Sequence, residues 1–298
     1  MTKIVATNIT SPLGLTTEEN YSSVRRGETA LRIVEKCLGL PESFCVGIFP
    51  DDRRRALKLD GYSWYESLVL HSVKEALSHT SIDHTSPRTI LILGTSTASV
   101  EELGEIPEKD GDFRSHGVAA RKIAESLGFT TVPITVSNAC ISGGAAQLLA
   151  DRLISSGYYD AAVVCGADVL SAFVLAGFSA FKALSPSACR PFDIERIGLN
   201  IGECAATVVM TKAGDGHKDG WYLIDGSLNN DAYHVSAPIP SGDGLCRTIK
   251  KILTPRLKES LACVTAHGSA TRFNDQMESK AIENAGLGDI FTTAYKPH

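Results

Sequence analysis

Apolar positions along the chain fall into two alternating registers. Short runs that are β-branched or apolar throughout predict strands: Ile4-Val5-Ala6, Ile90 to Leu93, Ile134 to Val136, Ala161 to Val164, Ala206 to Val209, Trp221 to Ile224 and Cys263 to Thr265. Between them, apolar residues recur at helical spacing over Tyr62 to Ser78, Gly117 to Leu127, Ile141 to Ser155 and Asp275 to Ala285. Asn274 stands just ahead of the last of these as an N-cap, a side-chain acceptor for an N–H that the first helical turn leaves open. The alternation predicts an α/β fold. Runs such as AAVVCGA are apolar at both parities, which suits a sheet covered by helices on both faces.

The turn-rich, charged stretch Thr211 to Gly220, TKAGDGHKDG, predicts a boundary between an N-terminal half, 1–212, and a C-terminal half, 213–298. The second half is thin for a layered α/β unit. There is no internal repeat, low-complexity tract or long linker.

Composition narrows the function classes. The 298 residues, 43% hydrophobic and 21% charged, can bury one large or two ordinary cores. A net charge of −5 argues against nucleic acid or an anionic membrane as a partner through bulk electrostatics. No apolar run approaches the roughly 20 residues that cross a bilayer, and Met1-Thr2-Lys3 leads straight into the strand-like KIVAT, so a cytoplasmic protein is expected. The eight cysteines show no C-x-x-C pairing, and most are expected to be reduced thiols. His71 and His79 offer no metal constellation with the other histidines, and no metal or redox cofactor is implied.

Chemistry enters at VSNACISGGAAQ, Val136 to Gln147. VPITVS is β-branched and ISGGAAQLLADRLISSG has helical spacing, which puts Cys140 at a strand-to-helix turn. Unpaired N–H groups and partial positive charge at a helix N-terminus lower a thiol's pKa and can hydrogen-bond an oxyanion. This is nucleophile geometry, mechanically akin to a serine elbow. Gly143 and Gly144 permit close approach of another segment or an acyl group. Free cysteine is also among the most buried residue types, so composition alone leaves core packing open. Cys165, inside the apolar strand AVVCGAD, reads as core.

Four stretches, NACISGGAAQ, GFSAFKALSPSACRPFDIERIGLNIGECAATVVM, NNDAYHVSAPIPSGDG and AHGSATRFNDQMESKAI, resemble in order and spacing the β-ketoacyl-acyl carrier protein synthases that use a Cys-His-His triad. SPLG (Ser11 to Gly14) and DRRRALKLD (Asp52 to Asp60) also fall where such synthases have similar text. The resemblance implies a thiolase-like layered αβαβα fold and a decarboxylative condensation in fatty acid or polyketide synthesis. It makes Cys140 the nucleophile that takes the acyl chain from a phosphopantetheine thioester. His267 becomes the first triad histidine, a donor to the malonyl thioester carbonyl in the manner of an oxyanion hole. Lys296 matches the family's active-site lysine, and Asp275 and Glu278 match its acidic pair, with Glu278 expected to pair with charge near the lysine. Acidic residues in a first helical turn are also favoured by the helix dipole alone. His234 is expected to shape the pocket loop and touch substrate.

The family's second triad histidine follows the lysine within a Gly-His-Thr-like turn, and a Gly-Phe-Gly-Gly loop comes after it. The sequence stops at His298, too close to Lys296 to be that residue, so a C-terminally truncated chain with an incomplete second half is expected, able at most to acylate itself. Ile197 and Cys204 stand where relatives carry Asp and Gly. The basic run Arg53, Arg54, Arg55 and Lys58 reads first as a solvated face. By resemblance, Arg54 and Lys58 occupy positions that dock an acidic acyl carrier protein. A homodimer is implied, with the strand at Asp160 to Ala167 pairing across its interface. The alternatives are a non-catalytic partner subunit resembling a chain-length factor, and thiolase-type condensation on coenzyme A esters.

Overall fold

The computed structural model describes residues 1–103, 115–214, 219–234 and 237–298. Among these residues the strands are β1 (Thr2–Thr10), β2 (Leu31–Val34), β3 (Phe44–Gly47), β4 (Thr89–Gly94), β5 (Ile134–Val136), β6 (Ala161–Asp168), β7 (Ile201–Gly202), β8 (Cys204–Lys212), β9 (Trp221–Leu223), β10 (Val264–Thr265) and β11 (Thr292–Thr293). The helices are α1 (Thr17–Arg25), α2 (Asp51–Leu57), α3 (Trp64–Ser78), α4 (His116–Leu127), α5 (Ser142–Ser155), α6 (Ala172–Ala180), α7 (Asp243–Ile252), α8 (Pro255–Glu259) and α9 (Arg272–Asn284). They form two compact units, neither continuous in sequence: residues 1–30, 47–174 and 202–224 make the first, and 31–46, 175–201 and 225–298 the second.

The first unit is an αβα sandwich. Its six strands run in the order β5-β4-β6-β8-β1-β9, with β4 parallel to both β5 and β6 and the remaining neighbours antiparallel. All six residues of β4 are buried, as expected of a strand apolar at both parities. Ile90 and Ile92 pack with Ala146, Ala150 and Ile154 of α5 on one face. Leu91 and Leu93 pack with Trp64 and Leu68 of α3 and Ile123 of α4 on the other. Each buried Ile or Leu here contributes about 1.5–3 kcal/mol. A capping box starts α3: Ser63 Oγ accepts from Glu66 N at 3.0 Å while Ser63 N donates to Glu66 Oε2 at 2.7 Å. Gly128, at φ +81°, stops α4.

One expectation is corrected here. β6 is hydrogen-bonded on one side to β4 and on the other to β8, so it has no free edge with which to pair across a dimer interface. Among the described residues, β5 ends the sheet on that side.

In the second unit α7 and α9 close over a small core of Cys246, Ala281, Ile282, Ala285 and Leu287, beside the parallel pair β10-β11. Helix α9 begins at Arg272 behind Thr271, three residues before the Asn274 cap that the pattern predicted. Asp275, expected to open the helix, lies inside its first turns and is fully buried. Its carboxylate has partners elsewhere in the unit, and these pull the chain into helix early.

Candidate active site

Cys140 is exposed, in the turn between β5 and α5. The turn is tight because Ala139 is left-handed, at φ +47°. That conformation costs an L-residue about 1–2 kcal/mol, so neighbouring bonds must hold it. Ser142 supplies them locally: its Oγ accepts from Asn138 N at 2.8 Å and donates to Ala139 O at 2.6 Å. Close backbone contact then seats α5 on the sheet. A Cβ on Gly94 would lie 2.7 Å from Ser142 O and 2.9 Å from Gly143 Cα, and Gly166 meets Gly143 from β6. Gly143 thus makes the close approach its sequence suggested, whereas Gly144 faces open space.

His234, His267, Asp275, Glu278 and Lys296 lie in the second unit. Glu278 is buried, and its two oxygens accept from His267 N at 2.6 Å and Gly268 N at 2.8 Å. It therefore fixes the backbone under His267, using its acceptors on those amides rather than on Lys296. Gly268 is required there, since at φ +48° a Cβ would lie 2.6 Å from Ala294 Cβ and 3.2 Å from Pro191 Cβ. Asp275 grips two further left-handed residues, Ala270 at φ +62° and Phe192 at φ +63°, accepting from their N–H groups at 3.0 and 2.8 Å. Arg196 pairs with Asp275 at 3.8 Å and donates to Thr271 O and Arg272 O. This buried network was missed in the sequence; its signal was a carboxylate bound for burial, which must find hydrogen-bond donors.

His267 retains surface exposure, yet the protein packed around its ring disfavours the imidazolium and lowers its pKa from the ordinary 6.5. The Lys296 ammonium lowers it further, against the opposing pull of Glu278 and Asp275. His267, Glu278, Asp275 and Lys296 are thus one electrostatic group, and a neutral imidazole at neutral pH can donate a hydrogen bond from one nitrogen. Burial pushes the nearby Cys189 thiol up, which marks it as structural.

His234 is exposed in a loop held by Asp231, whose Oδ2 accepts from Ile239 N at 2.7 Å. On α2, Arg54 is half-buried against the ring of Trp64, 5.1 Å from its centroid, and Lys58 donates to Tyr62 O. Cys204 is exposed and Ile197 half exposed. Between them Glu203 is buried, accepting from Phe49 N, Trp64 Nε1 and Leu170 N. Among the described residues no group of three or more side chains could hold a metal ion, and no helix is long and apolar enough to cross a membrane.

The chain is 28% identical to the probable polyketide synthase 10 of Dictyostelium discoideum over 74% of its own length and 10% of that protein's. It is 24% identical to a putative mitochondrial 3-oxoacyl-acyl-carrier-protein synthase of Schizosaccharomyces pombe, covering 95% of the chain and 76% of that protein. With a 3-oxoacyl-acyl-carrier-protein synthase 2 of Staphylococcus aureus it shares 26% identity, over 78% of the chain and 64% of the relative. Among solved structures, a ketosynthase in complex with its chain length factor from Xenorhabdus doucetiae superposes with a TM-score of 0.78 at 26% identity, over 97% of this chain and 76% of that one. These neighbours are thiolase-like ketosynthases, and the layered α/β fold class expected from the sequence is the one observed. The sequence pattern of the beta-ketoacyl synthase N-terminal domain matches residues 41–215 and that of the C-terminal domain residues 223–289, and the chain belongs to this family.

Proposed function

We propose that the chain acts in a β-ketoacyl-acyl carrier protein synthase, an acyltransferase in which Cys140 carries the acyl group. The thiolate attacks the thioester carbonyl of an acylated carrier, the tetrahedral intermediate collapses, and the carrier's thiol leaves. Malonyl carrier then loses carbon dioxide, and the resulting enolate carbon attacks the Cys140 thioester. The thiolate is released and the 3-oxoacyl chain remains on the carrier. His267 is assigned the malonyl thioester carbonyl, where a neutral imidazole donates to the developing enolate oxygen. Burial, with help from the Lys296 ammonium, favours the neutral form of His267; Glu278 and Asp275 fix the loop beneath it, and His234 touches substrate.

The observation that carries this reading is the exposed thiol of Cys140 at the strained turn between β5 and α5. The junction of the two family patterns, between residues 215 and 223, supports a chain in two parts, 1–212 with the nucleophile and 213–298 with the histidine and lysine. Arg54 and Lys58 are assigned to docking an acidic acyl carrier protein; a relative of the same fold has been solved with its acyl-carrier protein. The open edge of β5 supports a homodimer, and the protein is assigned to the cytoplasm.

A second reading is a chain-length-factor-like subunit that shapes a partner's pocket, since ketosynthase–chain length factor assemblies are among the structural neighbours. One experiment separates the two. Incubation with a short acyl thioester, followed by peptide mass spectrometry, should give an acyl adduct on Cys140 and none on Cys204 and Cys263, which are also exposed. Equal labelling of all three, or no adduct, would favour the inert subunit.

A further inference from the structure

We infer that Ser96 is a positioning residue for Cys140, itself held in place by Asp168; the inference rests on the acyl-transfer reading above. Asp168 ends β6 next to the Thr95–Thr97 turn that follows β4. Its Oδ1 accepts from Thr95 Oγ1 at 2.8 Å, Ser96 N at 3.0 Å, Thr97 N at 3.1 Å and Thr97 Oγ1 at 3.1 Å, and its Oδ2 lies 3.2 Å from Ser96 N. Thr95 Oγ1 in turn accepts from Ala98 N at 2.8 Å, and Thr95 N donates to Val136 O at 3.1 Å. Bonds to an ionised acceptor are the stronger kind, so one carboxylate organises the whole turn.

From this turn a side chain reaches the carbonyl that precedes Cys140. Ser96 Oγ donates to Ala139 O at 3.0 Å. That carbonyl belongs to the left-handed residue, and it leads directly into the Cys140 peptide. Its other donors, Ser142 Oγ at 2.6 Å and Ser142 N at 3.1 Å, come from the elbow itself and move with it. Ser96 is the donor from outside. It ties the direction of the Cys140 backbone to the end of the sheet, by the route Asp168 to Ser96 to Ala139. An exposed thiol without that tie remains free to react with a small reagent but loses its alignment for a thioester carbonyl, and misalignment of about 1 Å can cost acyl transfer up to about 100-fold.

The test compares two reactions of the same sulfur in the wild type, Ser96→Ala, Ser96→Thr and Asp168→Asn. Ser96→Ala should slow single-turnover acylation of Cys140 by an acyl thioester about tenfold at saturating thioester, with its half-saturation little changed. Iodoacetamide, which attacks from any direction, should alkylate Cys140 in that variant within about twofold of wild type. Ser96→Thr keeps the hydroxyl and should restore acylation, and Asp168→Asn should give an intermediate loss. A purely structural lesion would lower both reactions together. If the wild type acylates and Ser96→Ala matches it, or if both reactions fall equally, the positioning role is overturned while the acyl-transfer reading stands. If the wild type does not acylate at all, that reading fails and takes the role of Ser96 with it. Amide hydrogen exchange over Asn138 to Ser142 needs no substrate and should quicken in Ser96→Ala; unchanged exchange would overturn the tie directly.

Discussion

The nucleophile turn and the histidine loop solve one mechanical problem with different materials. Both contain left-handed non-glycine residues, Ala139 in the first and Ala270 in the second. The Cys140 turn is held by hydroxyls and by glycine-on-glycine contact of α5 with β4 and β6. The His267 loop is held by buried carboxylates, Glu278 and Asp275, and by a guanidinium, Arg196. The first should therefore respond directly to volume and to charge only through Asp168 and Ser96, and the second directly to charge.

The largest expected effect is on the charged side. Asp275→Ala would leave Arg196 without its buried anion and release two strained residues, at a cost of about 3–5 kcal/mol read from denaturant midpoints. A loss below about 1 kcal/mol would show that the network is not what holds the loop. On the neutral side, Gly94→Ala forces a methyl against Ser142 O and should cost about 1–3 kcal/mol, together with Cys140 acylation. Retained stability with lost acylation would sharpen the comparison, locating the strain in the turn alone.

Docking should register less. Exchanging both Arg54 and Lys58 for Glu should raise KM for carrier-bound substrate about tenfold and leave a short soluble thioester unaffected. An equal effect on both substrates would argue that Arg54 matters through its stack on Trp64 instead.

The smallest effect is a titration. Because His267 is held below 6.5, the unfolded chain takes up its proton first as pH falls. Stability should accordingly decline as pH drops below 6.5 towards the folded value. Lys296→Met removes one cause of the depression, so the His267 midpoint in a histidine NMR titration should move up and the decline should shrink. A midpoint that stays put would separate Lys296 from the histidine.

Much of this was legible before any coordinates. The both-face burial of β4, the helical stretches α3, α4 and α5, and the turn at Cys140 follow from local periodicity, since a strand apolar at both parities needs cover on both faces of its sheet. β10 falls within the run predicted at Cys263 to Thr265, whereas the two-residue strands β7 and β11 carry too little pattern to be read.

Sequence by itself determined the layered α/β class and the place of the thiol, because helical and extended periods are written into neighbouring residues. Only the tertiary structure decided that β6 is a central strand, that Asp168 serves the turn before the nucleophile, and that Asp275 belongs to Phe192, Ala270 and Arg196. A buried carboxylate must be satisfied, but which donors satisfy it depends on segments brought together from as many as 83 positions away along the chain. Burial drives that encounter, and the spacing of apolar residues does not record its outcome.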